Sequence, residues 1–140
     1  MHLSKDEILT KFNIWLVAWN NHDLEGVMGL IHDDIYFENW DGTSVVGKKA
    51  LQRAWTPWFL NHGNFKFHSE DIFFEEQEQK LLFRWRLEWP SLETNFKGRP
   101  EIRRGIDVIH FVDGKIKLKL SYSKTELVID SKPVILYALK

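Results

Sequence analysis

The chain has 140 residues, six His, no Cys and a net charge of −1 from 19 basic and 20 acidic side chains. Its 44% hydrophobic and 28% charged content is that of a folded domain, and the balanced charge offers no general attraction for nucleic acid or an acidic membrane. The missing Cys excludes disulfides, thiolate metal sites and thiol nucleophiles, and no apolar run reaches the ~20 residues of a membrane-spanning helix.

Ser4, followed three residues on by Glu7, has the spacing of a capping box. Ile8, Phe12, Trp15, Leu16 and Trp19 then recur at helical intervals, which predicts an amphipathic helix over 5–20. Asp23 is placed to cap a short second helix carrying Leu24, Val27, Met28 and Ile31. Ile35 to Trp40 alternates as a strand, Asp41-Gly42 turns the chain, and Thr43 to Val46 returns. A third helix is expected over about 48–61, with Leu51, Trp55, Trp58 and Phe59 on one side and Pro57 bringing a kink or an early end.

The second half reads as strands. Residues 65–76 and 80–89 flank a turn at Gln77-Glu78-Gln79, and Pro90 to Pro100 forms a loop. Residues 101–112 and 115–123 flank Asp113-Gly114. Alternation places Leu81, Phe83, Trp85, Leu87 and Trp89 on one face of their strand. It places Ile116, Leu118, Leu120 and Tyr122 inward on the last strand, with Lys117, Lys119, Ser121 and Ser123 facing water. Helices first and then a mainly antiparallel sheet make an α+β layout. One domain over 1–140 is expected, with 125–140 as a C-terminal extension apolar enough to add an edge strand. Met1 to Glu7 lacks the apolar stretch of a secretion signal, so a cytoplasmic protein is the expectation.

Three segments carry a family likeness: Trp19-Asn20-Asn21-His22-Asp23-Leu24-Glu25-Gly26-Val27, Asp33-Asp34-Ile35-Tyr36-Phe37-Glu38 and Gly47-Lys48-Lys49-Ala50-Leu51. Together with Gly105 to Ile116 as a closing hairpin, they resemble the SnoaL-like, ketosteroid isomerase-like branch of the NTF2-like superfamily, over about residues 5–124. The resemblance implies a cone, in which about three N-terminal helices pack inside a curved sheet around an apolar cavity. It also implies a homodimer through the outer sheet face, and a range of activities that includes polyketide cyclases, isomerases and dehydratases.

Asp107 is the leading catalytic candidate. It lies mid-strand between Ile106 and Val108, sharing a face with Arg103, Gly105, Ile109 and Phe111. An ionised carboxylate there needs a partner, a raised pKa or a polar cavity. The resemblance matches Asp107 to a pocket acid that donates a hydrogen bond to a developing oxyanion, a chemistry known from ketosteroid isomerase. The alternative is a structural Asp paired with an Arg or a tyrosine hydroxyl. Asn39 stands where the isomerases carry a general-base Asp, and Trp15 where they carry a Tyr, which argues against their mechanism. Asn39 either orients a ligand carbonyl or satisfies a strand end. Tyr122 either puts its hydroxyl in the cavity or buries it with a partner.

Trp15, Trp19, Phe37, Trp55, Trp58, Phe59, Phe83, Trp85 and Trp89 all fall on inward faces. They form either plain core or the walls of a pocket for a flat apolar or aromatic molecule. Arg103 would meet an anionic group on such a ligand. No pair of His has metal-ligand spacing, so neither metal nor cofactor is expected. His62 and His68 could converge at the turn after the third helix, or lie on the surface. Two functions remain open: a cofactor-independent enzyme cyclising, isomerising or dehydrating a hydrophobic carbonyl compound, and a non-catalytic module for ligand binding or dimerisation.

Overall fold

The computed structural model describes residues 1–136, so the last four residues of the expected extension lie outside the described residues. Three helices, α1 (Lys5–Asn20), α2 (Leu24–Met28) and α3 (Lys48–Leu60), alternate with and precede eight strands. The strands are β1 (Ile31–Glu38), β2 (Ser44–Val46), β3 (Lys66–Glu75), β4 (Lys80–Pro90), β5 (Pro100–Val112), β6 (Lys115–Ser123), β7 (Glu126–Ile129) and β8 (Lys132–Ile135). Their order in the sheet is β2-β1-β6-β5-β4-β3, with β7 on β5 and β8 on β7. The β1–β6 pair is parallel, which the expected hairpins did not foretell, and the other pairs are antiparallel.

The helix starts follow their capping residues. Ser4 Oγ accepts from the Glu7 amide at 3.2 Å, while the Glu7 carboxylate accepts from the Ser4 amide at 2.9 Å. Asp23 accepts from the Gly26 amide at 3.0 Å. The expected extension of the second helix to Ile31 does not occur. Its glycines favour an early end at Met28, and fully buried Ile31 instead opens β1 opposite Ile116. Pro57 does not end α3 early, because in the last turn it forfeits a single ladder bond and the helix runs on to Leu60.

Ile8, Phe12, Trp15 and Trp19 of α1 and Leu51, Trp55 and Phe59 of α3 pack into the concave face of the sheet. Bulges add to the sheet's curl. One falls between Ser69 and Asp71, where Glu70 is the extra residue opposite β4. Another lies on β6, where His110 pairs with Leu118 but Phe111 pairs with Ile116, so Lys117 is left over.

This second bulge reverses the expected faces of β6. A one-residue insertion turns every later side chain over. Ile116 remains inward, but Leu118, Leu120 and Tyr122 face out, and Lys119 and Ser121 are buried. Tyr122, expected in the cavity, is 48% exposed on the outer face.

The C-terminal strands dock where β6 leaves β5. Glu101 pairs with Ile129 and Ile102 with Val128, burying Leu127 and Ile129. Among the described residues, no helix is long and apolar enough to cross a membrane.

Candidate active site

A cavity of about 560 Å³ lies between the helices and the concave sheet. Trp15 and Trp19 of α1, Trp55 and Trp58 of α3, and Phe37 of β1 form one side. Phe67 of β3 and Phe83, Trp85 and Trp89 of β4 form the other. The rings meet mostly edge to face, as in Trp19 on Trp55 at 4.9 Å and Phe37 on Trp55 at 5.3 Å between centroids. Exposed Asp41, Ala54, Pro57, Asn61 and Leu92 also border the space and frame its mouth.

The polar centre of the cavity is an ion pair. Lys119 Nζ lies 3.2 Å from Asp107 Oδ2, with the two side chains 9% and 7% exposed. Trp85 Nε1 donates to Asp107 Oδ1 at 3.1 Å, and Lys119 Nζ donates to Ser121 Oγ at 2.9 Å. The ammonium also sits 4.8 Å from the centre of the Phe37 ring. The register brings the group together. Asp107 and Ser121 face each other across β5 and β6, as do Ile109 and Lys119. Gly105 lies opposite Trp85, and any Cβ there would run into the Trp85 ring and the Tyr122 carbonyl. The glycine thus lets the indole lie across β5 and reach Asp107.

A second buried charge cluster stands nearer the mouth. Arg103 Nε donates to Glu101 at 3.0 Å, and Nη2 donates to Glu93 of the 91–99 loop at 3.0 Å. Glu101 is fully buried and also accepts from Ser91 Oγ at 2.8 Å and from Trp89 Nε1. The guanidinium lies 4.8 Å from the Trp40 ring and 5.7 Å from that of Trp89. At the rim, the Thr43 hydroxyl and amide hold the Asp41 carboxyl below its ordinary value.

Asp107, Asn39, Arg103 and all but one of the expected aromatic residues line this one cavity. Phe59 does not. It is 6% exposed in the core beneath Trp19 and Phe65, a helical face shared between core and pocket. Trp15 spends its indole N–H on the Val27 carbonyl at 2.8 Å and offers the cavity only its ring. Asn39 Oδ1 accepts from the Trp40 amide, while its Nδ2 has no protein partner among the described residues. Trp19 also lines the cavity, and its buried Nε1 has no partner among the described residues.

Lys119, Ser121, Trp40 and Glu93 are site residues absent from the expected set. Trp40 could have been found from the adjacent Asp41-Gly42 turn. Lys119 carried no signal, because it sits in an otherwise regular pattern of outward lysines. His62 stacks on His22, with centroids 3.7 Å apart, and His68 binds Glu88 at 2.9 Å, so they do not converge. Among the described residues, no three His, Asp or Glu side chains gather as a metal site would require.

The model of a family described as a SnoaL-like domain matches residues 14–118, and the chain belongs to that family. Solved structures agree on the NTF2-like fold. An NTF2-like protein of unknown function from Mesorhizobium loti is 19% identical with a TM-score of 0.68, over 88% of this chain and 97% of that one. A putative polyketide cyclase from Xanthomonas campestris pv. campestris is 12% identical with a TM-score of 0.70, over 86% and 92%. TerC, co-crystallised with polyporic acid, is 15% identical with a TM-score of 0.66, over 84% and 92%. At such identities the likeness carries the fold alone. No curated protein matches the chain.

Proposed function

We propose that the chain is a cofactor-independent enzyme that acts by acid–base chemistry on a flat, hydrophobic carbonyl compound. The observation that carries this reading is the Asp107–Lys119 pair inside an aromatic-walled cavity. Asp107 is the base, taking a proton from the carbon beside the carbonyl. The C–H electron pair becomes the double bond of an enolate, and the negative oxygen falls to the Lys119 ammonium. Attack of that enolate on a second carbonyl closes a ring, the attacked oxygen becoming an alkoxide that takes the proton back from Asp107. Return of the proton from Asp107 to another carbon isomerises, and a β-hydroxyl that takes this proton and leaves as water dehydrates.

The buried Trp19 Nε1 suits a further ligand oxygen, since a buried donor without an acceptor costs about 1–3 kcal/mol, and the half-buried Asn39 amide offers a second donor. The polyketide cyclase and the polyporic acid complex among the structural relatives are compatible with a planar, oxygenated substrate. The proposed setting is the cytoplasm. The proposed assembly is a homodimer through the outer sheet face, where Leu82, Val108 and Leu120 line up across three strands beside Leu118 and Tyr122. Light scattering tests this, since a monomer at micromolar concentration contradicts it.

One observation favours the second reading, a binding module. Both Asp107 oxygens already have partners, in Trp85 and Lys119, so neither takes a proton from a ligand without giving up a contact. Turnover decides between the two. Wild type should convert members of a panel of bicyclic aromatic ketones, followed by mass spectrometry, while Asp107→Asn keeps its near-UV circular dichroism and loses conversion. Ketones retained by the protein and recovered unchanged would leave the binding module standing.

A further inference from the structure

Arg103 and Glu101 form a fixed pair, but Glu93 is held differently. Glu101 is fully buried and takes bonds from Trp89, Ser91 and Arg103. Glu93 comes from the 91–99 loop, its side chain is 34% exposed, and among the described residues the Arg103 Nη2 contact is its one ion pair. The guanidinium carries five N–H donors, and Nη1 has no partner among the described residues. Arg103 is thus a nearly buried cation bordering the cavity, flanked by the Trp40 and Trp89 rings, with one neutralising carboxylate fixed and the other on a loop.

We infer that Arg103 is the recognition point for a carboxylate on the ligand, and that Glu93 occupies that point as a displaceable substitute. Exchanging one carboxylate for another leaves the buried charge unchanged, so it avoids the desolvation cost that deters an added charge. The planar guanidinium suits two-point binding of a carboxylate, and Glu93 uses only one of its edges.

The spacing completes the ligand. Arg103 and Asp107 lie four residues apart on one face of β5, about 13 Å along the strand. The Trp85 ring lies over Gly105 between them. The substrate class is therefore an elongated, fused-ring aromatic acid, with its carboxylate at Arg103 and its reacting carbonyl at Asp107 and Lys119. This rests on the reading of the cavity as a site for a planar carbonyl compound.

The test compares 6-acetyl-2-naphthoate with its neutral primary amide, using quenching of the cavity tryptophans to read affinity. Wild type should bind the acid about tenfold more tightly than the amide, as expected for one charge-assisted pair. Glu93→Gln, on an exposed loop, should tighten the acid about fivefold or more and leave the amide unchanged. Binding of the amide without preference for the acid, in both proteins, would overturn the inference and leave the cavity reading standing. Tightening of both probes by Glu93→Gln would also overturn it, since it would mark Glu93 as a steric obstacle. Binding of neither probe would overturn both.

Discussion

The cavity holds two buried ion clusters of similar composition, and they are built for different work. In the Glu101–Arg103 cluster, every Glu101 contact is made within the protein, to Trp89, Ser91 and Arg103. It ties the start of β5 to the end of β4 and to the loop between them. In the Asp107–Lys119 cluster, the contacts are fewer and the groups border the cavity centre among aromatic rings. Saturated Glu101 specifies structure, whereas Asp107 and Lys119, which border the open space with fewer bonds, have capacity left for a ligand.

Glu101→Gln should have the largest effect on stability. Removing the charge leaves Arg103 with only Glu93, and breaking a buried pair typically costs about 3–5 kcal/mol. Urea unfolding should show a loss of about 3 kcal/mol or more at an unchanged slope. The second cluster should respond less as a pair than as single residues. Asp107→Asn and Lys119→Met each strand a buried partner, so the double variant should be less destabilised than the sum of the two. A coupling of about 1–3 kcal/mol is expected from the double-mutant cycle. Additive losses would mean that the pair is not a unit.

Tyr122→Phe probes the outer face at its least consequential point. The hydroxyl lies outside the cavity, so stability should change by less than about 0.5 kcal/mol and ligand affinity not at all. The smallest expected effect is in acid. Burial, aided by Lys80 across the strand, holds the His110 imidazole below its ordinary 6.5. The unfolded chain therefore binds this proton more readily than the fold does. His110 thus opposes folding progressively as pH falls below 6.5. His110→Gln should flatten the decline in melting temperature in that range, and an unchanged decline would assign it to other groups.

Much of this architecture was legible in residue spacing. The capping box at Ser4 and the period of Ile8, Phe12, Trp15 and Trp19 located α1 to the residue. On β5, alternation correctly put Arg103, Asp107, Ile109 and Phe111 on one face, because the strand has no bulge between Arg103 and Ile109. The same reasoning failed on β6. The extra residue at Lys117 turns the strand over, and neither charge nor hydropathy marks the spot. Leu118 and Leu120 look like core residues in a local pattern and lie on the outer face. Lys119 therefore went unrecognised, although it is the partner that a buried Asp107 required. The parallel β1–β6 pairing was hidden for a related reason, since it joins segments about eighty residues apart.

Under the proposed function, Asp107 and Lys119 together remove a proton from carbon beside a ligand carbonyl. The most direct measurement is proton NMR of 6-acetyl-2-naphthoate incubated with the protein in deuterated buffer, following the acetyl methyl signal. Loss of that signal well above the buffer rate is expected with wild type and Tyr122→Phe, and only the buffer rate with Asp107→Asn. A methyl signal that persists with wild type, while the same probe saturates tryptophan quenching, would contradict the claim and leave a cavity that binds without catalysing.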